Sequence, residues 1–181
     1  MTRPPAVLVL ENGQVFTGRS FGAAVTALGE VCFNTSMSGY QEILTDPSYR
    51  QQIITFTYPM IGNYGVHPQY MESGQIHATG TVVREYVEGY SSHLGQASLS
   101  EFLVEQGRPG LEGIDTRRLV LALHREGAMR GGIFQGAYRP AQLEEVRALP
   151  AMEGLDLASD VGTRSVYAYR SHEHARTDLA C

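Results

Sequence analysis

The spacing of apolar residues in the first half of the chain predicts β-strands. Residues 6–11 are apolar and β-branched, and residues 14–18 follow them after Asn12-Gly13. Asn-Gly between two such runs predicts a hairpin with a type I′ turn, because both residues tolerate positive φ. Three further strands are predicted at residues 30–34, 52–58 and 77–83, with one short helix at 39–44.

The second half changes to a helical period. Residues 98–106 and 115–127 carry apolar side chains three and four positions apart, and Gly107 and Gly127 follow as helix stops. The predicted buried positions are Leu99, Phe102 and Leu103 in the first helix and Leu119, Val120 and Leu123 in the second. Ser98 or Ser100 would cap the first helix, and Asp115 or Thr116 the second.

A returning strand is predicted at residues 129–134 and a third helix at 140–149, where Pro140 suits a first-turn position. The fold class is therefore α/β of the α+β type, with a strand-rich first half and helices in the second. Periodicity fades from about residue 152. We expect a domain over residues 1–150 and a linker over 151–181.

Composition narrows the class of protein. A chain of 181 residues with 43% hydrophobic and 18% charged residues suits one globular domain with a sizeable core. A net charge of −5 without a basic run argues against a nucleic-acid partner. The apolar run near the N-terminus is too short for a signal-peptide core or a spanning helix. We expect a cytoplasmic protein with no membrane partner.

Several kinds of catalytic or metal site lack the residues they need. A phosphate loop of the G-x-x-x-x-G-K-[ST] type cannot form because the chain has no lysine. Cys32 and Cys181 are too far apart to suggest a disulfide or zinc spacing, and Cys32 lies in a predicted strand as a buried structural thiol. His172 and His174 are two apart, not four, and suit a solvated tail. No catalytic residue, metal ligand or cofactor is predicted in this chain.

The remaining histidines have no tight partner in sequence, so each is interpreted as a surface or hydrogen-bonded core residue. They are His67, His77, His93 and His124.

Asp115, Arg117 and Arg118 allow two interpretations. In the first, Asp115 caps a helix and the arginines are surface charge. In the second, the arginines contact an anion or a partner subunit near the helix N-terminus, where free backbone N–H groups point outward. Arginine at this end opposes the helix dipole slightly, which gives the second interpretation some weight.

The segment from Thr45 to Tyr49 predicts a tight turn. Asp46 precedes Pro47, whose ring fixes φ, and Ser48 follows. The turn lies beside a loop rich in small polar residues, and loops between rigid elements often carry binding residues. No general base is near Ser48 in sequence, so its hydroxyl is predicted to bind a ligand and not to act as a nucleophile.

Four blocks of sequence, in this order, resemble the N-terminal domain of the small, glutamine-hydrolysing subunit of carbamoyl-phosphate synthetase. They are LVLENGQVFTGRSFG (8–22), GEVCFNTSMSGYQEILTDPSY (29–49), ITFTYPMIGNYG (54–65) and GIDTRRL (113–119). The resemblance covers residues 8 to about 162. It implies a swivelling β/β/α domain, with residues 151–181 leading toward a C-terminal class I glutamine amidotransferase domain that is absent here.

The resemblance also implies a function. In this family the C-terminal domain hydrolyses L-glutamine, and a large subunit uses the ammonia, with ATP and Mg²⁺, to make carbamoyl phosphate for arginine and pyrimidine synthesis. Ser48 matches the position with which the N-terminal domain contacts bound glutamine. The chain has no G-x-C-x-G elbow, so we expect it to be inactive alone. The alternative is a non-catalytic module that only holds the large subunit.

Overall fold

The computed structural model describes residues 3–151 and 156–162. Its strands are β1 (Pro5–Leu10), β2 (Val15–Gly22), β3 (Ala27–Asn34), β4 (Gln52–Phe56), β5 (Met60–Ile61), β6 (Gly80–Val82), β7 (Glu85–Tyr86), β8 (Pro109–Glu112) and β9 (Met129–Gln135). Its helices are α1 (Tyr40–Thr45), α2 (Leu99–Glu105), α3 (Thr116–Glu126), α4 (Pro140–Arg147) and α5 (Leu157–Val161). Two single 3₁₀ turns lie at Pro47–Tyr49 and Pro68–Tyr70. The mixed α+β class predicted from the sequence is confirmed.

Seven strands close into a barrel in the order β1-β2-β8-β6-β4-β3-β9. The pairs β3/β4, β4/β6 and β6/β8 are parallel. The other four pairs, including β9/β1 at the closure, are antiparallel. The short strands β5 and β7 form a separate parallel pair. Closure leaves the barrel strands without a free edge, so each backbone ladder is paired on both sides.

Strand β1 shows why the strands are apolar on both faces. Leu8 and Leu10 face a cluster that includes the buried side of α3, through Leu119 and Leu123. The alternate residues Val7 and Val9 instead pack with Phe134 and with Val146 of α4. Successive side chains of a strand point to opposite faces, so a strand covered on both faces becomes a continuous apolar run. A third cluster joins the barrel to α1 and α2.

The helix boundaries follow the caps predicted from the sequence. The Ser98 hydroxyl accepts from the Glu101 N–H, and the Glu101 carboxylate accepts from the Ser98 N–H, which completes a capping box at the start of α2. The Asp115 carboxylate accepts from the Arg118 N–H at 2.9 Å at the start of α3. Gly127, with φ of 87°, ends that helix, and β9 begins two residues later.

The predicted type I′ turn of the first hairpin is wrong. Gly13 has a φ of 88°, but Asn12 does not adopt positive φ. The Gly13 N–H donates to the Leu10 carbonyl at 2.9 Å, and the Leu10 N–H donates to the Gln14 carbonyl at 2.9 Å. The connection is therefore a longer loop with one glycine in a left-handed conformation, a common alternative to the two-residue turn.

Strand β8 was not predicted, because Pro109 and Gly110 are weak strand formers. A Cβ added at Gly110 would lie 2.4 Å from the Phe21 ring on the neighbouring strand β2. The absence of a side chain thus allows the close approach that lets β8 pair with β2. In the predicted strand at 77–83, only Gly80–Val82 joins the ladder.

Among the described residues, no helix has the length and apolar character needed to cross a membrane. The division at residue 150 stays a prediction. His172, His174 and Cys181 lie outside the described residues.

Candidate functional site

The predicted turn carries Ser48 on the surface. The Asp46 carboxylate accepts a hydrogen bond from the Ser48 N–H at 2.8 Å, and Pro47 occupies the first position of the 3₁₀ turn. The Tyr49 N–H donates to the Asp46 carbonyl at 3.1 Å. The Ser48 side chain is exposed, and its hydroxyl makes no hydrogen bond within the described part of the chain. The hydroxyl is therefore available to a ligand outside the domain.

Helix α1 leads directly into the Ser48 turn. The start of α1 is fixed by a tyrosine from another loop. The Tyr64 hydroxyl accepts hydrogen bonds from the Gly39 N–H at 2.7 Å and the Tyr40 N–H at 3.1 Å. It takes the place of a capping side chain, because Gly39 has none. The Tyr40 ring stacks on the Tyr64 ring at 4.1 Å, and the Tyr40 hydroxyl donates to the Gly65 carbonyl at 2.5 Å.

Burial raises the pKa of both Tyr40 and Tyr64. Each phenol therefore stays neutral at physiological pH and acts here as a hydrogen-bonding group, not as an acid or base.

Two further buried polar residues tie α1 to the loop that follows β5. Gln41, 1% exposed, donates to the His67 carbonyl at 2.9 Å and accepts from the His67 N–H at 2.8 Å. Thr45, fully buried, accepts at its hydroxyl from the Glu72 N–H at 2.9 Å, and its carbonyl accepts from the Ser73 hydroxyl at 2.6 Å. Because buried polar groups are costly to leave unpaired, these contacts specify where α1 ends and the turn begins.

After the Ser48 turn, the chain runs directly into barrel strand β4. The Tyr49 hydroxyl accepts from the Asn34 side-chain amide at 3.0 Å, at the end of β3. Gln51, with φ of 61°, is the one described non-glycine residue with positive φ, and β4 begins at the next residue. Ser48 thus lies on a short connection that is fastened on both sides to rigid elements.

The sequence of this domain matches a known family. The family described as "Carbamoyl-phosphate synthase small chain, CPSase domain" matches residues 8–133. The chain belongs to this family. Proteins named "Carbamoyl phosphate synthase small chain" are similar over most of the chain. The one from Polynucleobacter necessarius is 46% identical over 177 residues, and the one from Chlorobaculum tepidum is 49% identical over 168.

These alignments cover 94% and 92% of this chain but 44% and 46% of the two relatives. The chain thus spans less than half the length of these small chains. Among solved structures, an aminopeptidase from Aneurinibacillus sp. strain AM-1 overlaps 75% of this chain and 31% of its own, with a TM-score of 0.44 and 11% identity. That similarity is too low to support an argument about fold or function.

Cys32 of this small-chain domain lies on β3 and is partly buried. Its sulfur is 3.8 Å from the Ile53 carbonyl oxygen and 3.6 Å from the Gln52 side-chain oxygen. Burial, with the Glu30 charge as a further cause, raises the pKa of the thiol to about 12. Since the thiolate is the nucleophile, this environment disfavours a nucleophilic Cys32, although the thiol is only partly buried and not buried as the sequence predicted.

The two arginines after Asp115 behave differently. The Arg118 guanidinium lies 4.3 Å from the centroid of the Phe16 ring and donates to the Val15 carbonyl at 3.4 Å, so it packs against the domain itself. Arg117 is exposed and borders a cleft of about 470 Å³ together with Arg84 and Leu121. The surface-charge interpretation therefore suits Arg118, and the partner-contact interpretation stays open for Arg117.

The histidines are also placed differently. His93 and His124 are exposed, and the His67 Nδ1 accepts from the Gln69 N–H at 3.1 Å. His77 is 5% exposed, and its Nδ1 has no hydrogen-bond partner among the described residues. It is thus neither a surface histidine nor a hydrogen-bonded core histidine. The described residues contain no group of three or more His, Cys, Asp or Glu side chains able to hold a metal ion.

The residues that hold the Ser48 turn were not identified from the sequence. Tyr64 and Thr45 lie in sequence blocks rich in polar and aromatic residues. Their hydrogen-bond partners, however, are 24 to 28 positions away in the sequence. A single sequence carries no signal for such pairs.

Proposed function

We propose that this chain is the N-terminal domain of a two-subunit, glutamine-using carbamoyl-phosphate synthase and acts in the cytoplasm. In this proposal it covers one side of a glutamine pocket whose reactive residues belong to a glutamine-hydrolysing domain. The ammonia released there passes to a larger chain, which uses ATP and Mg²⁺ to form carbamoyl phosphate for arginine and pyrimidine synthesis. The domain itself contributes no catalytic residue.

The single observation that carries the proposal is the exposed Ser48 hydroxyl on a turn fixed by Asp46 and Pro47. A hydrogen-bonding group held by a rigid connection binds without first having to be ordered. The family membership supports glutamine as the ligand, because the enzyme class needs a nitrogen donor. One neutral hydrogen bond of this kind contributes about 0.5–1.5 kcal/mol.

The test is Ser48→Ala in the complete two-subunit enzyme. We expect glutamine-dependent synthesis to fall by about threefold to tenfold in kcat/KM for glutamine, in line with one lost hydrogen bond. Ammonia-dependent synthesis should stay unchanged, since ammonia needs no contact with the turn. Both rates are measured as carbamoyl phosphate formed at saturating ATP and bicarbonate.

Ser36→Ala is the matched control, because Ser36 is an exposed serine in the polar loop before α1. It should leave both rates unchanged. Equal losses with glutamine and ammonia in Ser48→Ala would contradict a glutamine contact and indicate a role in folding or docking.

A second candidate function is a domain that only holds the larger chain. The cleft bordered by Arg84, Arg117 and Leu121 favours it, because Leu121 is 46% exposed. Met60, which follows Pro59 of the cleft wall in sequence, is also 43% exposed. Exposed apolar side chains rimmed by charge are typical of protein contacts. Capture of the larger chain by this domain, with normal glutamine kinetics in Ser48→Ala, would favour this candidate over the first.

A further inference from the structure

Three segments, each with one basic residue, meet near the end of α1 and the Ser48 turn. Arg50 follows the turn, and its backbone N–H donates to the Pro47 carbonyl at 3.1 Å. His77 is held against the end of α1, because its N–H donates to the Leu44 carbonyl at 3.0 Å. Arg108 donates from Nη2 to the carbonyl of Ile76, the residue before His77, at 3.3 Å. Three separate segments therefore bring positive or protonatable groups to one place.

Each of these side chains has a buried nitrogen without a hydrogen-bond partner among the described residues. The atoms are Nε of Arg50, Nδ1 of His77 and Nε of Arg108. His77 is 5% exposed, so water has little access to its ring. Buried polar atoms are nearly always paired, so the two arginine Nε–H groups lack an acceptor and the His77 ring nitrogen lacks a partner.

Nearby carboxylates do not supply that acceptor. The Arg50 Nη2 lies 3.8 Å from an Asp160 carboxylate oxygen, and both side chains are partly exposed, so this ion pair is weak. Asp46 already accepts from the Ser48 N–H. Within residues 3–151 and 156–162, Arg108 makes no salt bridge.

The electrostatics reflect the two arginine charges, while His77 is neutral beside them. Burial lowers the pKa of His77, and the Arg50 and Arg108 charges lower it further, while Asp46 opposes them. Burial and the Arg50 charge likewise lower the pKa of Arg108. The charges of Arg50 and Arg108 therefore repel each other in a partly buried environment, which favours a bound anion.

A cleft gives access from solvent. It has a volume of about 420 Å³ and is lined by His77, by Ser73 to Gln75 and by Asp160 to Gly162. The two arginines do not line it, but Arg50 contacts Asp160 of its wall and Arg108 donates to the carbonyl of the residue before His77. We propose that Arg50, His77 and Arg108 form a binding site for a small oxyanion, either a phosphate or a carboxylate. Ser48 is not part of this site, so the proposal does not depend on the glutamine contact.

The test uses this chain with two probes, inorganic phosphate and acetate, at low ionic strength. Binding is followed by NMR through the side-chain Nε–H signals of arginine. We expect saturable shifts of the Arg50 and Arg108 signals with at least one probe, and the tighter probe identifies the anion as phosphate or carboxylate. Shifts that do not saturate with either probe would overturn the proposal.

Variants locate the site. Arg108→Gln should weaken binding about tenfold or more, because a charge-assisted hydrogen bond is lost. Arg50→Gln should have a similar effect and serves if Arg108→Gln fails to fold. Arg125→Gln is the control, because Arg125 is exposed on α3. Unchanged affinity in a folded Arg108→Gln or Arg50→Gln variant, or an equal loss in Arg125→Gln, would contradict the site.

Asp160→Asn should change the affinity for the anion in the opposite direction from the arginine variants. Asp160 faces the same cleft and attracts Arg50, so its carboxylate competes with a bound anion. Removing that charge should tighten phosphate or acetate binding. An unchanged or weakened affinity would place the anion elsewhere and count against the proposal.

Discussion

The Ser48 turn and the start of helix α3 use the same local chemistry in different surroundings. At each, an aspartate side chain accepts from a backbone N–H ahead of it in the chain: Asp46 from Ser48 at 2.8 Å and Asp115 from Arg118 at 2.9 Å. In α3 the cap begins an eleven-residue helix with a buried apolar face. In the turn it begins a three-residue element with no buried residue.

The difference lies in what holds each element to the domain. α3 is held by apolar packing against the barrel, through Leu119 and Leu123. The turn is held through α1, which packs Tyr40 and Leu44 into an apolar cluster. Helix α1 is in addition held by polar contacts of Tyr40, Gln41 and Thr45 with distant loops. Apolar packing is broad and tolerant of direction, whereas hydrogen bonds fix a position. We infer that α3 stabilises the fold and that the contacts of α1 position a binding group.

The largest effect should follow from Leu119→Ala. Leu119 is fully buried in the barrel cluster, so its truncation leaves a cavity that costs about 2–5 kcal/mol of unfolding free energy. Leu121→Ala on the same helix is the control, because Leu121 is 46% exposed, and it should change stability by about 0.5 kcal/mol or less. Urea unfolding measures both. Equal effects of the two variants would show that α3 is not held by its apolar face.

The sequence predicted α3 well because the information it needs is local. Its cap, its stripe and its terminal glycine all lie within thirteen consecutive positions. The Ser48 turn was predicted for the same reason, from Asp46 and Pro47. Its supports could not be predicted, since the Tyr64 hydroxyl and the Gly39 N–H are 25 positions apart and meet only in the folded chain.

The same limit explains the other differences from the sequence analysis. Strand β8 depends on the close approach of Gly110 to Phe21, which is 89 positions away, and its own sequence disfavours a strand. The cluster of Arg50, His77 and Arg108 joins three segments that have no common motif. The site residue Ser48 was proposed from family resemblance, and its exposure is compatible with that role.

A smaller effect is expected from Thr45→Val, which replaces a buried hydroxyl by a methyl group of similar size. The Glu72 N–H then loses its acceptor, so stability should fall by about 1–3 kcal/mol. In the complete enzyme, the displaced turn should also weaken glutamine use, while ammonia-dependent synthesis is kept.

Thr35→Val is the control for that prediction, because Thr35 is exposed in the loop before α1. It should change neither stability nor glutamine use. If Thr45→Val lowered stability without any selective loss of glutamine-dependent synthesis, α1 would be a purely structural helix and the distinction between the two regions would fail.

The smallest expected change in unfolding free energy distinguishes the Asp46 cap of the turn from the Asp115 cap of α3. Asp115→Ala should cost about 1 kcal/mol, because it removes the cap of a long helix. Asp46→Ala should cost roughly 0.5 kcal/mol or less, because the turn that it caps has only three residues and no buried side chain. Asp46→Ala should nevertheless lower glutamine-dependent synthesis, since the Ser48 hydroxyl is no longer held in one place, whereas Asp115→Ala should leave it unchanged. Urea unfolding of this chain and the paired glutamine and ammonia assays of the complete enzyme give the two readouts. If Asp46→Ala destabilised the domain as much as Asp115→Ala, or if neither variant affected glutamine use, the turn would be one more structural element and not a positioning device.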